Sequence, residues 1–263
     1  MEKLSIDEMK QIELELMSEL DRVCRENNLS YVLAYGSCLG AVRHKGFIPW
    51  DDDMDVAMPR ADYERLIDSF DQLKSKSHYE LVSYRKNKAI YPFVKLIDTT
   101  THVLENFADK RFSTGVWVDI FPLDKVDPSD SAVFRRNKYL ALMRSLIVAD
   151  PHVGSSLFVK VVKRLTHPFA SRMNPYDYAR RIDENAAGAS SEGCETLADI
   201  VGEGRPDQCL SQSIFEPKEA LFEGHTFFIP AGYERYLTAL YGDWRTPLPV
   251  SEREVHVCEA HRL

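Results

Sequence analysis

Four aspartates crowd into five positions at Asp51-Asp52-Asp53-Met54-Asp55, and no other stretch constrains this chain as tightly. On a strand, alternate side chains share a face, so Asp53 and Asp55 point the same way and Asp51 joins them if extended geometry begins that early. Like charges on one face repel, at a cost that a bound cation removes. Hard carboxylate oxygens suit Mg²⁺ or Mn²⁺, and Mg²⁺ commonly takes one or two carboxylates and completes its shell with substrate phosphates. A solvated acidic turn is the alternative for the cluster alone, so its flanks matter. Upstream, Tyr31–Tyr35 (YVLAY) reads as a buried strand, Gly36-Ser37 breaks it, and Cys38–Val42 reads as a short helix. Backbone amides at such a break can cradle a phosphate at the helix N-terminus, although a lone Gly-Ser also makes an ordinary tight turn. Arg43, His44 and Lys45 lie between the two features, either as surface charge or as cationic donors to a phosphate.

The remaining pattern predicts an α+β chain with a mixed sheet in its first half and a largely helical second half. Residues 5–28 carry a capping box (Ser5, Glu8) and an apolar stripe of Met9, Ile12, Leu16, Leu20 and Val23 at helical spacing. Asp53–Met58 reads as a strand that Pro59 ends, followed by a helix marked by Tyr63, Leu66, Ile67 and Phe70. Further strands are expected at 81–82, 93–97, 102–104 and 116–121. In the last of these, Asp119 interrupts an apolar run, where an unpaired carboxylate would be expensive. It is either a structural hydrogen-bonding group or an additional carboxylate for the acidic cluster. Lys95 likewise interrupts Pro92–Ile97, as a snorkelling lysine or as a phosphate contact.

A strand followed by Gly-Ser, D-x-D on a second strand and a lone acid on a third is the layout of the nucleotidyltransferase fold. The 22 residues Ala34–Asp55 resemble, more narrowly, the signature of the LicD family of phosphocholine transferases, which are related to the fukutin-related proteins. Val118–Asp124 is similar to that family's second block. Glu223–Pro230 and Tyr241-Gly242-Asp243-Trp244 are similar to its C-terminal block, whereas residues 130–210 match no block of it. The resemblance implies a nucleotidyltransferase-like core at 1–130, a helical basic insertion at 131–210 and a C-terminal segment at 211–263 that packs back on the core. It implies transfer of a phosphocholine-type group from a CDP-activated donor to a hydroxyl of a glycan or lipid-linked glycan, with release of CMP. Asp51, Asp53, Asp55 and Asp119 would then be metal-site carboxylates, with Asp53, Asp55 and Asp119 catalytic and Asp119 able to take the acceptor's proton. Gly36, Ser37, Arg43, Lys45 and Lys95 would contact phosphate. A choline cargo would rest on aromatic faces, for which Trp50, Tyr84, Tyr91, Trp117 and Phe121 are candidates that also suit plain packing. Glu223 and His225 would either reach such a site or serve structure alone. Two other readings remain: transfer of a nucleoside monophosphate, and an inactive binding module on the same fold.

Charge bears on the partners. The net charge of -8 over 263 residues argues against nucleic acid. It is an average of unlike parts: residues 131–182 hold ten basic and two acidic side chains, a local charge of +8, and the remainder carries -16. Leu157–Arg164 within that segment suits a basic amphipathic helix, so peripheral contact with an anionic membrane is expected there, against the alternative of a solvated helix face. Five widely spaced cysteines without a C-x-x-C pair, no long apolar stretch and a polar N-terminus predict a cytoplasmic protein, with the basic segment as its means of peripheral contact at the inner membrane face.

Overall fold

The computed structural model describes residues 2–105, 113–149, 172–189, 193–202, 204–249, 253 and 258–263. The chain begins with β1 (Glu2–Lys3) and α1 (Ile6–Glu26), whose first turn is closed by the expected capping box. The Ser5 hydroxyl accepts from the Glu8 N–H at 3.3 Å, and the Glu8 carboxylate accepts from the Ser5 N–H at 2.8 Å. Next come β2 (Val32–Leu33), α2 (Tyr35–Arg43), β3 (Asp55–Pro59), α3 (Arg60–Leu73) and β4 (Tyr79–Val82). Two long strands follow, β5 (Val94–Glu105) and β6 (Thr114–Lys125), and then the helices α4 (Ser131–Val148) and α5 (Pro175–Ala187). The short strands β7 (Thr196–Ala198) and β8 (Leu210–Ser211) lead to a hairpin of β9 (Pro217–Phe222) and β10 (His225–Pro230). Helix α6 (Tyr233–Tyr241) and β11 (Cys258–Arg262) complete the chain.

The main sheet runs β1-β11-β5-β6-β3-β2, with β4 also on β5 and β7 on β6. The β3–β6 pair is parallel and its neighbours are antiparallel, so the sheet is mixed and the fold is α+β. Alternation along β6 divides its two faces. Val116, Val118 and Ile120 join Met9, Leu16 and Leu20 of α1 and Tyr63 and Leu66 of α3 in the principal core. Phe121 belongs instead to a second core with Phe93, Phe134 and Leu140 of α4, and Ile182 and Ala186 of α5. The helical pair α4–α5 therefore packs on β6 at Phe121.

Three local readings change. The strand expected at Tyr31–Tyr35 is only two residues long, because Tyr35 adopts a left-handed φ of 43° and already begins α2. Gly36 and Ser37 thus lie inside the first helical turn rather than ahead of it. The strands expected at 93–97 and 102–104 are one continuous element, β5, with an irregularity between Asp98 and Val103. Beyond residue 190 the chain also supplies strands β7–β11. The amphipathic stretch expected at Leu157–Arg164 lies outside the described residues.

Candidate active site

Sheet register assembles the central row of charges. The parallel pairing sets Asp55 of β3 beside Asp119 of β6, and the antiparallel pairing sets Asp119 beside Lys95 of β5. The ladder extends one residue further, since the Asp119 N–H donates to the Met54 carbonyl at 2.9 Å. The Lys95 ammonium, only 2% exposed, stands 3.2 Å from Asp119 Oδ1. The Trp117 and Tyr91 ring centroids lie 3.8 and 4.3 Å from it. A buried ammonium is tolerated there because a carboxylate and two π faces replace its water. Burial, followed by the charges of Asp53, Asp119 and Asp51, pushes the Asp55 carboxyl well above the usual carboxylate range, with Lys95 opposing them.

Helix α2 presents its first turn to these acids. A Cβ on Gly36 would stand 2.4 Å from Asp51 Oδ2, so only glycine lets the carboxylate approach the helix backbone this closely. Ser37 is buried, and its hydroxyl accepts from the Asp55 N–H at 2.8 Å, tying α2 to the start of β3. The strained Tyr35 is held from both sides. Its N–H donates to the Tyr236 hydroxyl at 3.2 Å, and its own hydroxyl donates to Asp199 at 2.5 Å. Burial raises the Asp199 carboxyl to about 6 despite that hydrogen bond.

A cavity of about 400 Å³ adjoins this turn, with Gly36, Arg43, Trp50 and Asp51 on one side and Tyr241, Asp243 and Trp244 of the C-terminal block on the other. Arg43 Nη1 donates to the Trp244 carbonyl at 2.9 Å, which joins the two sides. Lys45, at a φ of 58°, is exposed and does not line the cavity; its carbonyl accepts from the Glu223 N–H. Glu223 clasps the turn, accepting from the Phe47 N–H at 3.1 Å. His225 lies apart, in a groove beside α1, 3.4 Å from Ser18 Oγ.

Three residues at the site escape the sequence reading. Tyr241 resembles helix packing in sequence, yet it is 45% exposed. Partial desolvation and then the charges of Asp55 and Asp51 hold its phenol above its ordinary range. Glu13 is buried on α1, and its carboxyl is raised by burial and then by Asp53 and Asp52. Its sequence signal is an acid inside an apolar helical stripe. Asp199 lies too far along the chain from Tyr35 for any spacing rule to connect them.

The donor chemistry fits a hard divalent cation. Asp51, Asp53 and Asp119 all act electrostatically on Asp55, so a cation would relieve repulsion already present. Among the described residues no group of three metal-binding side chains converges as a ready ligand set. The adjoining pair Asp55 and Asp119 matches instead the one or two carboxylates that Mg²⁺ usually takes.

Comparison with known proteins adds lineage to this geometry. Residues 28–141 match the family model described as LicD/FKTN/FKRP, nucleotidyltransferase domain. The chain carries a LicD-family nucleotidyltransferase domain. Over its whole length it is 27% identical to the lipopolysaccharide cholinephosphotransferase LicD of Haemophilus influenzae, which is also covered completely. It is 32% identical to an uncharacterized Rickettsia prowazekii protein over 58% of this chain and 63% of that one. The LicD-family match spans α2, β3, β5 and β6, the elements that carry Gly36, Asp55, Lys95 and Asp119.

Proposed function

We propose that this protein is a metal-dependent phosphotransferase that moves a phosphocholine-type group from a CDP-activated donor to a hydroxyl of a cell-surface glycan precursor. The observation that carries the reading is the row Asp55–Asp119–Lys95 beside the first turn of α2, in a chain alignable throughout with a lipopolysaccharide cholinephosphotransferase. Asp55 and Asp119 would hold the metal, with Asp53 and Asp51 close by. A bound Mg²⁺ or Mn²⁺ would neutralise charge on the diphosphate as the CMP leaving group departs.

The chain's own groups supply the rest. Backbone amides in the first turn of α2 orient phosphate oxygens at the end of the helix dipole that favours anions, while Arg43, at the last turn of the helix, lines the adjoining cavity. The acceptor oxygen attacks phosphorus, the bond to CMP breaks, and the acceptor's proton passes to a carboxylate, for which Asp119 is our assignment. Lys95 offsets the charge of Asp119 from beneath and keeps its side chain oriented. Ser37 acts through its hydrogen bond to Asp55 rather than from the cavity surface. The decisive test is product analysis with CDP-choline, a glycan acceptor and Mg²⁺. Free CMP and a phosphocholine-bearing acceptor support the reading. Pyrophosphate with a nucleotidylated acceptor, from a nucleoside triphosphate, replaces it with nucleotidyl transfer. Turnover that survives exhaustive chelation removes the metal.

A further inference from the structure

Of five aromatic side chains that suit a cationic cargo in sequence, the structure leaves one at an open surface near the acids. Tyr91 and Trp117 already hold the Lys95 ammonium. Phe121 packs on Phe93 and Tyr35 in the second core. Tyr84 is buried and donates to Asp183 at 2.6 Å. Trp50 instead lines the 400 Å³ cavity, where the exposed Tyr241 ring faces the same space and the largely buried Trp244 joins the wall.

We propose that this cavity seats the cationic headgroup of the transferred group, a quaternary or primary alkylammonium joined to the phosphate, with Trp50, Tyr241 and Asp243 setting its selectivity. The inference rests on the phosphotransferase reading above and adds to it the place where cargo is chosen. Three features carry it. The first is composition: aromatic faces together with two carboxylates, Asp51 and Asp243, make a wall that attracts a cation and offers little to a neutral polyol. Its cationic member, Arg43, is engaged with the Trp244 carbonyl and with His44 Nε2, each at 2.9 Å. Asp243 stays ionised, since the Thr246 hydroxyl donates to it at 2.6 Å and holds its carboxyl below the usual range.

The second feature is that the Trp50 and Trp244 rings stack under arginines that are at least partly exposed and that an incoming cation can displace, whereas the Lys95 ammonium on Tyr91 and Trp117 is buried and paired with Asp119. The Arg253 guanidinium lies 3.9 Å from the Trp50 ring centroid, and that of Arg245 lies 4.3 Å from the Trp244 centroid. The third is continuity. Asp51 belongs both to this wall and to the charges acting on Asp55, and it touches Gly36 at the phosphate-facing turn. A headgroup in the cavity therefore leaves its phosphate at the acids.

The test compares kcat/KM for CDP-choline and CDP-glycerol in the full-length enzyme with Mg²⁺, for the wild type, Trp50→Leu and the surface variant Asp243→Asn. The wild type is expected to prefer CDP-choline. Each variant is expected to cut that preference about tenfold, as loss of one cation–π or ionic contact implies, and Trp50→Tyr is expected to restore most of it. Thermal melting confirms that the variants fold; Asp243 is on the surface, so its variant keeps the test open if a Trp50 variant does not. A preference unchanged in Asp243→Asn and in every folded Trp50 variant, or a wild type that favours CDP-glycerol, overturns the headgroup assignment while leaving the phosphotransferase reading intact. A wild type that turns over neither donor overturns the reading on which both rest.

Discussion

Asp55 is positioned by its backbone, through the Ser37 hydroxyl and the pairing with β6, so its carboxylate can be altered without loosening the strand. Asp55→Asn keeps the shape and removes one of several mutually repelling charges. Turnover should fall by roughly two to three orders of magnitude, while Tm stays level or rises by about 2–4 °C per kcal/mol of repulsion relieved. Assays alongside thermal melts check this, and near-wild-type turnover would remove Asp55 from the chemistry. Asp199 makes a different prediction. Its carboxyl titrates at about 6 in the folded protein against an ordinary 3.8, so folding favours the protonated form. That contribution is complete below about pH 4 and is lost as pH rises through 6. Asp199→Asn remains neutral throughout, so the Tm of the variant minus that of the wild type should grow between pH 5 and pH 7.5. Parallel Tm–pH curves would contradict the assignment.

At the scale of elements, α2 is set by two close approaches of different kinds. A Cβ on Gly40 would lie 2.4 Å from the Gly46 carbonyl, a backbone contact with little room to yield, whereas the one on Gly36 would press on the Asp51 carboxylate, which can move. Gly40→Ala should therefore destabilise the fold by about 1–3 kcal/mol. Gly36→Ala should spare most stability and depress activity. Denaturant titrations paired with assays distinguish the two, and equal effects on both quantities would refute the distinction. Another junction joins three elements. Arg60 of α3 reaches Asp124 of β6 and Asp183 of α5, each at 2.7 Å. Both carboxylates are buried; Asp183 keeps Tyr84 and Arg85, but Arg60→Met would leave Asp124 without its guanidinium partner, at a cost of about 3–5 kcal/mol. Proteolysis should then open the chain near α5 before the sheet, and unchanged cleavage kinetics would argue otherwise.

For the whole molecule, charge separation is the main consequence. Residues 131–182 carry a net +8 and the rest of the chain -16. Helix α4 contains four basic and no acidic residues, with Tyr139 61% and Leu142 57% exposed beside Arg135 and Lys138. Among the described residues no helix is long and apolar enough to cross a membrane. We expect the protein to co-sediment with vesicles containing anionic lipid at low salt and to dissociate as salt rises. Replacing Arg135 and Lys138 by Glu should weaken that binding. Equal binding to neutral vesicles would eliminate the electrostatic docking.

Local spacing alone determined the acidic cluster, the lone Asp119 and Lys95, the capping box of α1 and the buried stripe of α3. The capping box and the stripe depend on helical spacing and the lone charges on strand alternation, all properties of neighbouring residues. The acidic cluster shows as bare sequence density, since β3 begins only at Asp55 and leaves Asp51 and Asp53 off the strand. Only the tertiary structure decided that Asp119 lies between Asp55 and Lys95, because strand order and register join segments separated by long loops. The same holds for β1 against β11, which pairs the two ends of the chain. It holds equally for Asp199 on Tyr35, for Glu13 near the acidic turn, and for Tyr241 and Asp243 opposite Trp50. Those contacts have no local period, since they are selected by burial and charge only once the sheet has brought distant segments together.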